Sequence, residues 1–354
     1  MNLSKLSEIL KDEPKYRYAQ INQALWQDYV SSWDEISSLP KALREKLSVE
    51  CPLEIKAEMV AEAPVAQPGR SAKPAGRIGQ GGTKALITLD DGEIVETVLI
   101  RQKRGNTICV SSQVGCPLGC AFCATGALGF KRNLAAEEII EQVIFWAREL
   151  KRAFQTAEAG AKIDNVVFMG MGEPFLNYQE FIKAAKFIND AEKLNIGARR
   201  LSVSTAGLTE GIKRLSGEKL QMNLAISLHA PLDGLRASLM PIAKKYPLAE
   251  IFKAIDNYIL KTGRRVMFEY LMLKGINDSD EDAELLAQLM RKPLYLVNLI
   301  PYNLTGRFQT SSRERIDAFQ KILETNNVAV TVRLSFGANI GAACGQLGKR
   351  RLNK

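Results

Sequence analysis

From about residue 106 onward the chain alternates short apolar runs with amphipathic stretches of helical period. No other feature constrains its fold as much. The apolar runs are Thr107–Val110, Val166–Met169, Leu201–Ser204, Leu224–Ser227, Val266–Leu271 and Leu296–Ile300. Runs this short, bounded by polar and turn residues, read as buried strands. The clearest helix between them carries Ile139, Ile140, Val143, Ile144, Ala147 and Leu150 on one face. Glu137 and Glu138 sit in its first turn, where the helix dipole favours acidic side chains. Further helices are expected near 178–193, 248–262, 279–291 and 312–326. Six such β/α repeats imply an α/β fold with a parallel sheet, either open and doubly wound or curved into a partial barrel. Both architectures place their chemistry at the C-terminal ends of the strands.

The part before residue 106 reads differently. Leu3, Leu6, Ile9 and Leu10 form one helical stripe, and Leu43 with Leu47 forms another after Pro40. Two strand-like runs, from Lys84 and from Ile94, flank Asp90-Asp91-Gly92, a hairpin signal. The expected organisation is a helical unit over 1–62, a Pro/Gly-rich linker or mobile loop over 63–82 and a β-hairpin over 83–105. An α/β core over 106–347 and a basic tail over 348–354 complete it.

With 354 residues, 46% of them apolar, the chain can build a large domain and an accessory one. No signal-peptide pattern or membrane-length apolar run is present, so a cytoplasmic protein is expected. Six cysteines in that setting read as ligating or reactive thiols, not as a disulfide framework. The net charge of +9 lies beyond the first 62 residues, which are net acidic. Basic pairs recur at Lys103–Arg104, Lys131–Arg132, Arg199–Arg200, Lys244–Lys245 and Arg264–Arg265. Such a surface favours a polyanion such as RNA through counterion release, although a basic pI also serves solubility.

Cys116, Cys120 and Cys123 follow the first strand in a C-x3-C-x2-C spacing. Three thiolates hold three corners of a cubane iron–sulfur cluster and leave one iron open to a substrate. The alternative is a structural zinc, which takes four protein ligands. His229 is the single histidine, and Cys109 and Cys344 are the remaining cysteines that could complete such a set. The second strand runs into Met169-Gly-Met-Gly172-Glu173-Pro174, whose glycines let a ligand approach the backbone and whose Glu173 can accept from an ammonium group. Ser202 and Ser204 end the third strand, Ser227-Leu228-His229 ends the fourth, and Asn303 follows the sixth. Their donors and acceptors suit a ribose or a carboxylate. Cys51 reads as a small core residue. Cys344, between Ala and Gly, is a poor core residue and a candidate exposed nucleophile. A second thiol within reach would allow disulfide chemistry that releases a covalent adduct.

The cysteine spacing, with Phe122 before the last cysteine, resembles the signature of the radical S-adenosylmethionine (SAM) enzymes. Four runs are similar to the bacterial dual-specificity RNA (adenine-carbon-2) methyltransferases: Cys109 to Cys116, the cluster loop through Leu134, Met169 to Pro174, and Ala342 to Leu347. The relatives that methylate carbon 8 of the same ribosomal adenine share most of these motifs. The resemblance implies a partial (β/α)6 barrel with an RNA-holding helical domain, a [4Fe-4S] cluster on Cys116, Cys120 and Cys123, and two SAM molecules per turnover. One SAM would methylate Cys344. The other would yield a 5′-deoxyadenosyl radical that removes a hydrogen from S-methyl-Cys344, so that the methylene carbon adds to adenine. Glu96 matches the base, and Cys109 would release the product through a transient disulfide with Cys344. Gly172, Glu173, Ser204, Ser227, Leu228, His229 and Asn303 match SAM-contacting positions. The implied partners are 23S rRNA, tRNA and an electron donor of flavodoxin or ferredoxin type. No membrane association is expected from the absence of a membrane-length run, and a monomer from the absence of a coiled-coil or dimer stripe. Asn339 and Ala243 depart from the family's usual Asp and Asn. Methylation of carbon 8, or RNA binding without catalysis, are the competing readings.

Overall fold

The computed structural model describes residues 3–64, 81–103, 105–154, 162–333 and 338–348. Short helices fill the start of the chain, among them Leu3–Leu10, Lys15–Asn22 and Lys41–Glu50. Four strands follow: β1 (Ala57–Pro64), β2 (Gly81–Thr88), β3 (Ile94–Gln102) and β4 (Gly105–Cys109). They pair antiparallel in sequence order. Strand β1 corrects two expectations: the helical unit gives way to extended chain at Ala57, and residues 63–64 and 81–82 of the expected linker lie in strands. The hairpin is therefore part of a larger meander. Residues 65–80 of that linker, Arg104 and residues 349–354 of the basic tail lie outside the described residues.

A two-stranded ribbon, β5 (Gln113–Gly115) and β6 (Phe130–Asn133), brackets the cysteine loop. The main sheet then continues through β7 (Asn165–Phe168), β8 (Leu201–Thr205), β9 (Asn223–Ser227), β10 (Val266–Met272), β11 (Tyr295–Pro301) and β12 (Val330–Val332). From β4 through these strands every neighbour is parallel. All six expected core strands are present, and β12 adds a parallel edge strand too short to register as a pattern in the sequence.

Strand order decides between the two architectures. A doubly wound sheet reverses its order at a switch point. Here the ten strands follow the sequence, apart from the separate ribbon. Right-handed crossovers in an unreversed order put every helix on the same side, so the sheet curls into a barrel wall. The fold is a partial α/β barrel whose edges are β1 and β12.

The helix Ala136–Ala153 shows how the elements lock together. Its apolar stripe is buried, each large side chain contributing on the order of 1.5–3 kcal/mol. Two polar residues are buried with it. Gln142 exchanges hydrogen bonds with the backbone of Ser111 at 2.7 and 2.9 Å, fixing the chain just after β4. Arg148 donates to the carbonyls of Val30 (2.6 Å) and Leu53 (2.7 Å), tying the N-terminal helices to the barrel. No helix among the described residues is long and apolar enough to cross a membrane.

Candidate active site

The cysteine loop is closed by geometry that admits only glycine at one position. Gly115 has φ +76°, and a Cβ there would stand 2.0 Å from the Gly129 carbonyl oxygen. The Cys116 N–H donates to that same oxygen at 2.8 Å. Further along, Ala121 N–H donates to Leu239 O, and Ala124 N–H donates to Gly345 O, each at 2.8 Å. Thr125 Oγ1 donates to Leu347 O at 2.8 Å. The loop is thus stitched to the C-terminal segment that contains Cys344. Asn303 Nδ2 donates to the Cys344 carbonyl at 3.3 Å, completing the attachment.

These contacts enclose a cavity of about 440 Å³ at the C-terminal ends of the strands. Cys109, Cys116, Cys120, Cys123 and Cys344 all line it, with Gly172, Glu173, Ser204, Ser227, His229 and Asn303. A larger cleft of about 590 Å³ opens at the other ends of the strands, between Arg265, Arg291 and Tyr295, but no cysteine or carboxylate lines it. The smaller cavity carries the chemistry.

Glu173 is buried, and its carboxylate accepts from Ala206 N–H (2.8 Å) and Phe175 N–H (3.1 Å). Burial outweighs these bonds and pushes its pKa up to about 7. Gly172 just before it has φ +100°, and a Cβ would come within 2.6 Å of Gln113 Cβ. Ser204 Oγ and Ser227 Oγ lie 3.4 Å apart on neighbouring strand ends. His229 Nδ1 accepts from Leu271 N–H at 3.1 Å, so the ring proton is assigned to Nε2. Burial, with Arg236 nearby, drives its pKa down to about 3, and the ring stays neutral.

The thiols are held against ionisation. Burial pushes Cys109 and Cys116 up to about 12 and raises Cys120 and Cys123 as well. Thiolates here need a cationic partner. The three loop cysteines satisfy the donor chemistry of an iron–sulfur cluster. Among the described residues no three His, Cys, Asp or Glu side chains converge on a single ion. SAM's ammonium would find Glu173.

Two expected residues stand apart from the cavity wall. Leu228 is buried in the core, and its carbonyl accepts from Arg236 Nε at 3.1 Å. Glu96 is buried beside Lys84 and does not line the cavity. Cys344 is half-buried inside the cavity, not exposed. Cys51 is a core residue, as expected. Sequence reasoning missed Glu269 and Arg333, which line the cavity, and Lys84 and Arg236, which support it. Lys84 carried a signal, being a cation inside an apolar strand run; the other three carried none.

A model of the Radical SAM superfamily matches residues 110–287. A protein of Symbiobacterium thermophilum named probable dual-specificity RNA methyltransferase RlmN is 42% identical, over 100% of this chain and 91% of its own. A protein of the same name from Chloroflexus aurantiacus is 44% identical, over 99% of this chain and 92% of its own. The crystal structure of a radical SAM methyltransferase from Sphaerobacter thermophilus superposes with a TM-score of 0.87 at 41% identity, covering 99% of this chain and 98% of that one.

Proposed function

The chain belongs to the radical SAM superfamily and, within it, to the dual-specificity RNA methyltransferases, and on that premise we propose that it methylates carbon 2 of adenosine. The proposed substrates are an adenosine in the peptidyl-transferase region of 23S rRNA and the adenosine following the anticodon in some tRNAs. One observation carries the reading. Cys109 and Cys344, distant in sequence, are free thiols lining the cavity that also holds the cysteine loop and Glu173.

A [4Fe-4S] cluster on Cys116, Cys120 and Cys123 would supply an open iron for SAM and the electron that cleaves it to a hydrogen-abstracting radical. The chain's own groups do the rest. Glu173 accepts the SAM ammonium, and Ser204, Ser227, His229 and Asn303 hold its other polar edges. Cys344 Sγ takes a methyl group from a first SAM, loses one hydrogen from it while a second SAM is consumed, and bonds through that carbon to adenine. An adenine ring carbon is too poor a nucleophile for direct displacement on the SAM methyl, which is why a sulfur carrier is needed. Glu96 removes the adenine proton once the ring carbon is bonded, and the adduct returns one electron to the oxidised redox group as the ring is restored. Cys109 then attacks Cys344 Sγ, forming a disulfide as the carbon–sulfur bond breaks, and the released methylene carbon takes up a proton as the methylated base leaves. Glu96 does not line the cavity, so its role requires a local adjustment when RNA enters.

The reading also assigns RNA holding to the N-terminal helices before Ala57, with a base splayed from its stack to reach the cavity. It includes a flavodoxin- or ferredoxin-type reductant and a monomer. The test is nucleoside mass spectrometry of 23S rRNA and tRNA treated anaerobically with reconstituted protein, reductant and SAM bearing a CD3 methyl. A 2-methyladenosine that has lost one deuterium supports the relay and the carbon. An 8-methyl product reassigns the carbon, and no methylated adenosine sinks the methyltransferase reading.

A further inference from the structure

Arg236 is fully buried in the short helix Asp233–Leu239, yet no carboxylate lies within ion-pair distance of it among the described residues. Its guanidinium is satisfied by backbone alone. Nη2 donates to Ala206 O (2.6 Å) and Ser227 O (3.1 Å), Nε to Leu228 O (3.1 Å) and Nη1 to Tyr246 O (3.3 Å). Asp233 in the same helix attracts it without forming an ion pair, and its carboxylate accepts from Leu248 N–H at 2.8 Å. Burying a cation without a contact ion pair is unfavourable unless something else compensates it.

Three of the four carbonyls it holds lie at the ends of β8 and β9: Ala206 just past β8, Ser227 and Leu228 closing β9; the fourth, Tyr246, precedes the helix Leu248–Thr262. The Ala206 peptide that accepts from Arg236 uses its own N–H on the Glu173 carboxylate at 2.8 Å. Ser227, held through its carbonyl, turns its hydroxyl toward Ser204. The residues after Leu228 lead directly into His229. The last residue of the Arg236 helix, Leu239, accepts from Ala121 N–H in the cysteine loop at 2.8 Å. One side chain therefore connects the ends of two neighbouring strands at the proposed SAM site, and its helix docks the loop that carries the proposed cluster ligands. The positive charge also acts electrostatically on Cys120.

The structure assigns Arg236 as a positioning residue with two effects: its guanidinium sets the spacing of the SAM-binding strand ends, and its buried charge beside the cysteine loop favours the reduced, more negative state of the cluster. This rests on the radical SAM reading of the cysteine loop. Net charge and hydrogen bonding around an iron–sulfur group are established levers on its potential.

The test compares reconstituted wild-type protein with Arg236→Met and Arg236→Lys. Iron content and circular dichroism establish that each variant is folded and loaded. Potentiometric titration followed by electron paramagnetic resonance reads the cluster's midpoint, and equilibrium dialysis with labelled SAM reads affinity. Arg236→Met is expected to move the midpoint to more negative potential and to weaken SAM binding about tenfold, the loss of one or two well-placed hydrogen bonds. Arg236→Lys is expected to keep the midpoint near wild type while still losing affinity, because an ammonium cannot span all four carbonyls. An unchanged midpoint in loaded Arg236→Met overturns the charge effect, and unchanged SAM affinity in both variants overturns the positioning. Should Arg236→Met fail to fold, wild-type SAM affinity in Arg236→Lys overturns the positioning by itself, and a midpoint in Arg236→Lys clearly more negative than wild type, with the charge retained, overturns the electrostatic effect. Wild-type protein that takes up no iron would instead refute the cluster reading.

Discussion

Lys84 Nζ lies 3.1 Å from Glu96 Oε2 on the neighbouring strand, with both side chains almost completely buried. The contact is ionic and not an aligned hydrogen bond, since Oε2 has no partner of hydrogen-bond geometry. The same ammonium donates to Gly341 O at 3.1 Å, three residues before Cys344. One cation thus holds the proposed base and the chain leading to the proposed methyl carrier.

Removing that cation alone leaves a carboxylate buried without its partner. Lys84→Met is expected to destabilise the fold by about 3–5 kcal/mol. Lys84→Met combined with Glu96→Leu is expected to recover most of this, because the unpaired charge is gone. Urea denaturation of both variants checks it; a double variant as unstable as the single one would contradict the argument.

Glu173 must be ionised to receive an ammonium, and burial holds its pKa near 7. SAM affinity should therefore rise as pH increases through that value. Stability runs the other way: the folded state binds the proton more tightly than the unfolded chain, so this group's contribution falls as pH rises from the ordinary carboxylate range to about 7. Titration of SAM binding from about pH 6 to about pH 8, a window bracketing the shifted value, should show a dependence that Glu173→Gln abolishes. A flat wild-type profile would mean that Glu173 is already ionised or does not bind the ammonium.

Gly172 and Gly119 both have positive φ, but only Gly172 is crowded. Gly119→Ala should cost about 1–2 kcal/mol, the ordinary left-handed penalty. Gly172→Ala should cost more and abolish SAM binding. Its Cβ would displace Gln113, whose side-chain oxygen accepts from Glu173 N–H at 2.8 Å. Thermal unfolding and SAM dialysis of the pair separate the two effects.

Without a resolving thiol the bonded adduct has no route to release. Cys109→Ala is expected to accumulate protein covalently joined to RNA through Cys344, visible on a denaturing gel, with product formation reduced by orders of magnitude. Adding Cys344→Ala should remove the adduct. Methylated RNA from Cys109→Ala at the wild-type rate would exclude the disulfide step.

The parallel strands, their intervening long helices and the cysteine loop were legible because each is a local pattern. Period-two and helical spacing select elements, and three thiols within eight residues need no fold to be recognised. The Asp91-Gly92 turn between β2 and β3 was legible for the same reason. Strand β1 was not, because it begins in a polar stretch and is defined by pairing with β2. The helix carrying Arg236 spans only Asp233–Leu239, too short for a periodic signal.

The sequence by itself therefore determined the class of fold, the three-cysteine loop and Glu173 at the end of its strand, since each depends on residues adjacent in the chain. Only the tertiary structure decided that the sheet curls into a partial barrel, that Cys109 and Cys344 share one cavity, and that Lys84, Arg236, Glu269 and Arg333 surround it. Those relations join edges of the sheet and loops far apart in the chain. They arise from strand order and from backbone hydrogen bonds such as Ala124 N–H to Gly345 O, which no local spacing encodes.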